Sequence, residues 1–196
     1  MTTSDSSGAG EVLDFWFGAR SEEEFGKSRR QWFVKDPDFD AGIARRFGAL
    51  VAAALHGGLD HWQANPQHEL ARIIVLDQLT RNIYRGTAAM FAGDALALAA
   101  AVAMVDGGRD QELLPVQRAF CYLPFEHSES LADQDRAVAL FEALRDDQPA
   151  GGMLEWALRH REIIQRFGRF PHRNEMLGRA SSGAEIEFLS QPGSRF

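Results

Sequence analysis

The sequence predicts an all-α fold. Three observations carry that expectation. Apolar residues recur at helical spacing in almost every segment. Strict alternation of polar and apolar residues, the mark of a half-buried strand, is nearly absent. Connections between the periodic segments are short, which favours antiparallel pairs of neighbouring helices. A chain of 196 residues can bury a sizeable core in one domain. No linker divides it, and no clear sequence period of about 34 residues marks a regular repeat. Residues 1–10, "MTTSDSSGAG", are small and polar and read as a disordered tail, so the expected helical domain covers 11–196.

The elements follow in order. Val12 to Phe17 is a short apolar stretch, and Glu22 to Phe33 is expected as a second helix. "DPDFD" stops the chain and restarts it. Phe39, Ile43, Phe47, Leu50, Val51, Ala54 and Leu55 then share a helical stripe, closed by "HGG". Pro66 opens a helix running to Gly86, and an alanine-rich helix follows from Phe91 to Asp106. Val116 to Leu123 leads into Pro124, where a kink or break is expected because proline disfavours helix in the residue before it. Ser128 or Ser130 caps a helix from Leu131 to Arg145. Met153 to Phe167 is the last long helix, with Gly168 as its terminator and Pro171 delaying any restart. Ser182 and Glu185 form an S-x-x-E capping box for a short helix, Gly183 to Leu189.

Composition narrows the function classes. Hydrophobic residues make up 45% and charged residues 25%, the balance of an ordinary globular chain. A net charge of -7 argues against general nucleic-acid binding, which needs a broad positive footprint. It leaves room for a local anion site. The single cysteine, Cys121, lies in the apolar run "AFCYL" and reads as a buried structural thiol. The tail lacks the features of a secretory signal. The most apolar stretch, Ala95 to Val105, is about half the length of a membrane span. The expectation is a cytoplasmic protein with no membrane or nucleic-acid partner.

Polar residues gather in three places. On the helix after Pro66, Gln78, Arg81, Asn82 and Arg85 share one side, while Ala71, Ile74 and Val75 occupy that sector earlier in the helix. A core helix whose end opens into a polar cavity fits this pattern, and so does a salt-bridged surface with Asp77 pairing Arg81 at i,i+4. Just past Pro124 come Glu126, His127 and Glu129; neighbouring carboxylates can orient a histidine and raise its basicity. On the last long helix, Trp156, His160, Ile163, Ile164 and Phe167 form a stripe that makes His160 either a core residue or the floor of a pocket. Its exit, "RFGRFPHRN", puts Arg169, His172, Arg173 and Asn174 on non-helical backbone. Arginines 159, 161, 166, 169, 173 and 179 face only Glu162 and Glu175 there, more positive charge than a helix C-terminus requires.

Motifs for nucleotide, metal and nucleophile chemistry are missing. There is no phosphate-binding glycine loop, no G-x-S-x-G elbow, no paired cysteines and no H-E-x-x-H. No ligand spacing announces a metal site, so neither metal nor cofactor is expected.

The strings "LDQLTRNIYRG", "YLPFEHSE" and "FGRFPHRNEMLGR", with "EVLDFWFG" near the start and "PGSRF" at the end, resemble the mainly bacterial family called domain of unknown function 924. The likeness runs from about Glu11 onward. It implies an all-helical, tetratricopeptide-like superhelix and carries no catalytic assignment. Two functions are expected from the residues beside it. One is a pocket where Gln78, Arg81, Asn82, Arg85, Glu126, His127, Glu129, His160, Arg169, His172, Arg173 and Asn174 hold a small phosphate or carboxylate. The other is a helical scaffold for a protein segment, its Arg, Glu and His clusters being internal networks.

Overall fold

The structure is a computed structural model that describes residues 3–147 and 150–194, with side chains from Gly8 onward. Met1 and Thr2 of the expected tail, and the last two residues of "PGSRF", lie outside the described residues. The first helix, α1, spans Thr3–Phe17 and so starts upstream of the expected boundary at Glu11. Ala9, Val12 and Trp16 are buried at i, i+3 and i+7, which ties the upstream turn to the core.

Prolines and capping side chains set the next starts. Asp36 accepts from the backbone N–H groups of Asp38 and Phe39 and opens α2, Pro37–Leu55. Asn65 does the same for Gln67 and His68 and opens α3. This third helix has three consecutive parts: α-helix Pro66–Ile74, a π-helical segment Val75–Leu79, and α-helix Thr80–Ile83. The remaining helices are α4, Asp94–Asp106; α5, Pro115–His127; α6, Leu131–Glu142; α7, Leu154–Phe167; and α8, Gly183–Leu189. Ser130 caps α6, and the Ser182–Glu185 capping box opens α8. Gly168 ends α7 in the left-handed region, at φ 68°.

Two expected elements come out differently. Residues 22–33 form turns with one short 3-10 turn at Arg30–Trp32 rather than a helix. The segment has too few apolar residues to bury a helical face. Side chains anchor it to the end of α1 instead: Arg29 donates to Phe15 O and Trp16 O, and Trp32 Nε1 donates to Trp16 O. Of the kink or break expected at Pro124, the break is absent: α5 runs through it. Proline removes one intrahelical donor, and burial of Phe120, Tyr122 and Phe125 holds the helix around it. Gln134 closes the end of α5 by donating to Glu126 O at 2.6 Å and Ser128 O at 2.7 Å.

The long apolar helix α3 is the centre of the packing. Leu70, Ala71, Ile73, Ile74, Val75, Leu76 and Leu79 have no exposed surface. Helices α1, α4 and α5 pack against it, and α2 covers its π-helical and C-terminal parts. From α4 onward consecutive helices pack in turn, α4 on α5, α5 on α6 and α6 on α7. The result is an all-helical domain; no strand occurs among the described residues. A smaller cluster of Ile163, Ile164 and Phe170, joined by Phe167 and Phe188, lies beyond the main core. Residues Ala88–Asp106 have the length and mean hydropathy of a membrane span. Here they are divided between a 3-10 helix at Ala88–Phe91 and α4, whose Ala97, Ala100, Ala101 and Met104 face the core.

The π-helical segment adds a residue to one turn of a buried helix and turns the subsequent side chains to a new side. Thr80 Oγ1, just beyond it, donates back to Val75 O at 2.9 Å. Gly93, just before α4, packs directly on it: a Cβ there would overlap Leu76 O. Gly93→Ala is therefore expected to push α4 off α3 and to cost about 2–4 kcal/mol of stability, measured by chemical denaturation.

Candidate functional site

Asp77 sits on the π-helical segment with a side chain 1% exposed. A carboxylate buried this far needs donors, and three residues supply them. Gln78 Nε2 donates at 2.5 Å, Arg81 Nη2 at 3.2 Å and His127 Nδ1 at 2.7 Å. Burial alone would raise the Asp77 pKa, but His127, Arg81 and the hydrogen bonds outweigh it and hold the carboxyl well below its usual range. Burial also lowers the basicity of His127, against the pull of Asp77. The stable arrangement is an ionised Asp77 accepting from a neutral imidazole. That fixes the Nδ1–H tautomer and leaves Nε2 with a lone pair on a side chain 17% exposed.

Arg81 continues the network. Its Nη2 also donates to Asp94 Oδ1 at 2.8 Å. Arg173, from the exit of α7, donates to Asp94 Oδ2 at 3.3 Å and to His127 O at 3.0 Å. Two guanidiniums thus converge on one carboxylate. Phe91 lies against both, 5.4 Å from Arg81 and 4.7 Å from Arg173, and Phe170 lies 4.5 Å from Arg173 on its ring face. Burial raises the Asp94 pKa, and the nearby Asp77 adds to the effect against the two arginines. Burial, followed by the like charge of Arg81, brings Arg173 down to about 10. Nε of Arg81 and Nε of Arg173 are buried and meet no hydrogen-bond partner among the described residues.

Behind His127 lies a second pair. Glu126 Oε1 is 3.0 Å from His160 Nδ1, which is also 2.9 Å from Trp156 O. The separation is that of an ion pair, but the charges are not. Burial, with Asp77 adding to it, pushes Glu126 up to about 8, and burial brings His160 down to about 3. Near neutral pH this is a carboxylic acid facing a neutral imidazole. Glu126 Oε2 is buried and meets no hydrogen-bond partner among the described residues. The His160 ring stands 6.5 Å from His127 and 5.5 Å from Phe170, which in turn lies 5.6 Å from His172.

The twelve sequence candidates therefore fall into separate groups. Gln78, Arg81, Glu126, His127, His160 and Arg173 come together, and His172 sits at the edge of that group. Asn82 and Arg85 point instead to Asp40 of α2, Arg85 as a two-pronged pair at 2.6 and 2.9 Å. Glu129 accepts twice from Arg179, at 2.7 and 2.9 Å, and from Phe170 N. Asn174 accepts from Arg179 and donates to Ser181. Arg169 is held by Glu185 at 2.6 and 2.8 Å. One open pocket shared by all twelve is not what the side chains build. Two clefts lie elsewhere, one of about 180 Å³ beside Asp14, Arg20 and His68, the other beside Arg166, Arg169 and Glu185. Trp156, expected on the buried stripe of α7, is half-exposed. No group of three metal-ligating side chains forms among the described residues. Cys121 is buried, and burial pushes its thiol well above the usual range, away from nucleophilic use.

The sequence model of a family described as bacterial protein of unknown function (DUF924) matches residues 12–193. The chain belongs to the DUF924 family. A solved structure of a protein of unknown function from Agrobacterium tumefaciens is similar to it at 38% identity, with a TM-score of 0.82. The match covers 94% of this chain and 98% of that one. A comparison with curated proteins finds no match.

Sequence reasoning on this DUF924 chain missed Asp94, Asp40 and Phe91, each of which meets its arginine only through tertiary packing. A weak signal for Asp94 existed: an acid at the start of an otherwise apolar helix.

The Glu126–His160 pair sets a pH profile. Glu126 has a raised folded pKa, so its contribution to stability is fully present below the ordinary value of 4.5 and is lost by about pH 8. His160 has a depressed folded pKa, so its contribution is present above 6.5 and is lost as pH falls to about 3. Together they raise stability from about 3 to 4.5, cancel up to 6.5, and lower it from there to about 8. Glu126→Gln removes the contribution of Glu126 to that descent. The variant should be the more stable protein at pH 8, with a shallower decline above 6.5 than the wild type in urea titrations run at a series of pH values.

Proposed function

We propose that the protein binds a small anion, a carboxylate or a phosphate, where Arg81, Arg173 and His127 meet. One observation carries the reading. Two arginines from opposite halves of the chain converge on a single carboxylate while both keep a buried Nε unpaired among the described residues. Asp77 and Asp94 both draw on Arg81, and Arg173 shares Asp94 although burial and the like charge of Arg81 work against its own charge. Asp94 is 23% exposed, so the cluster can be approached from solvent. If a bound anion reacts, His127 Nε2 is the acid–base group, held by Asp77 at Nδ1, and the arginines stabilise developing negative charge. The lone, buried Cys121 suits a reducing, cytoplasmic setting.

A second reading, a scaffold for a protein segment, draws on the other pairs. Arg85–Asp40, Arg169–Glu185 and Arg179–Glu129 each clamp separate segments and read as internal fasteners. A stable protein partner captured by the intact chain, and lost on mutation of one helical groove, would favour it.

The anion reading is checked by a thermal-shift screen with carboxylated and phosphorylated metabolites. A stabilising hit is expected, and Arg81→Ala and Arg173→Ala should each weaken it about tenfold or more, as for loss of a charge-assisted bond. No hit, or hits untouched by both substitutions, would sink the reading.

A further inference from the structure

The shape of the arginine pair narrows the ligand, an inference that rests on the proposed anion site. The guanidinium carbon of Arg173 lies over two aromatic rings, Phe91 at 4.7 Å and Phe170 at 4.5 Å. Its Nη1 and Nη2 reach Asp94 Oδ2 and His127 O. Arg81 is flanked by the same Phe91 ring. Guanidinium donors suit an acceptor with two oxygens in one plane, a fit that carboxylate and phosphate can both make; the group already held between these two arginines is a carboxylate.

Asp94 already demonstrates the fit. Its Oδ1 accepts from Arg81 at 2.8 Å and its Oδ2 from Arg173 at 3.3 Å, one oxygen for each guanidinium. It is also the more exposed of the two carboxylates in the cluster, 23% against 1% for Asp77. It stands at the first position of α4, immediately after Gly93 and three residues beyond Phe91. The carboxylate and the stacking ring therefore ride on one short segment. Asp77 is the buried counter-ion of the network, and Asp94 is the one that solvent reaches.

We propose that the ligand of this site is a small molecule bearing a carboxylate, and that Asp94 occupies the place of that carboxylate in the unliganded protein. An internal occupant lowers the apparent affinity for an external one, because the site is competent only for the fraction of time that it is vacant.

The probes are sodium acetate and inorganic phosphate, titrated into the wild type, Asp94→Ala and Asp94→Asn. Binding is read from calorimetry and from the arginine Nε–Hε signals of Arg81 and Arg173, with circular dichroism confirming the fold. Acetate should bind Asp94→Ala roughly tenfold or more tighter than the wild type, and more tightly than phosphate does. In the wild type, higher acetate should shift the same arginine signals the same way. Arg173→Ala added to Asp94→Ala should abolish the acetate response. If Asp94→Ala does not fold, Asp94→Asn, which keeps the shape and removes the charge, carries the same comparison.

Equal acetate affinity in the wild type and both variants would overturn the role of Asp94. Phosphate binding the variants as tightly as acetate would overturn the ligand class and leave the anion site standing. Rescue of the variants by acetate with no wild-type response would make Asp94 an ordinary structural partner and overturn the inference. If neither probe moves the arginine signals of any folded form, the anion reading falls, and this inference falls with it.

Discussion

A carboxylate with 1% exposure cannot stay ionised unless the chain brings donors to it, and Asp77 is such a group. Much of the polar architecture follows from that demand. Gln78 and Arg81 come from the same helix, and His127 comes from the C-terminal end of α5. Fixing His127 fixes its carbonyl, which receives Arg173 from beyond α7. Arg173 then meets Asp94 at the start of α4, and Asp94 returns the chain of contacts to Arg81. Four segments far apart in sequence are thus closed into one ring of charges around a single buried acid.

The backbone makes the ring possible. The π-helical segment at Val75–Leu79 reorients α3 just where Asp77 and Arg81 leave the apolar core. Before it, the helix is largely buried; after it, polar residues emerge. The same segment receives Gly93, whose missing side chain lets α4 begin against Leu76 O. That contact places Asp94 within reach of Arg81. A local irregularity in one helix and an absent Cβ in the next are therefore two halves of one device.

The fold was legible because it depends on periodicity and on local chain chemistry. The stripe from Phe39 to Leu55, the Pro66 start, the Gly168 stop and the Ser182–Glu185 box are each decided within a few residues. The errors came where tertiary contacts override local preference. Pro124 stays helical because buried aromatics surround it, and residues 22–33 form turns because the end of α1 captures Arg29 and Trp32. In the site, Arg81, His127 and Arg173 could be found as residues of the right chemistry on helix ends. Their partners could not. Arg81 and Arg85 look alike on a helical wheel, yet one turns to Asp94 and the other to Asp40. Which acid each would meet depends on α2 and α4 packing on different sides of α3.

Stability alone is a poor explanation for such a network. Desolvating ions costs about as much as their attraction returns, and apolar replacements of similar volume are often as stable. The other arginine pairs are less open to this objection, because the guanidiniums of Arg85, Arg169 and Arg179 are more exposed than those of Arg81 and Arg173. The central cluster does not escape it. It holds a protonated Glu126 and a neutral His160 in the interior. Beside them, one Glu126 oxygen and two arginine nitrogens find no partner among the described residues. A core selected only to hold helices together would fill that volume with leucine and isoleucine, as the rest of α3 does. Unpaired donors beside a partly exposed carboxylate are the features on which the proposed anion site rests.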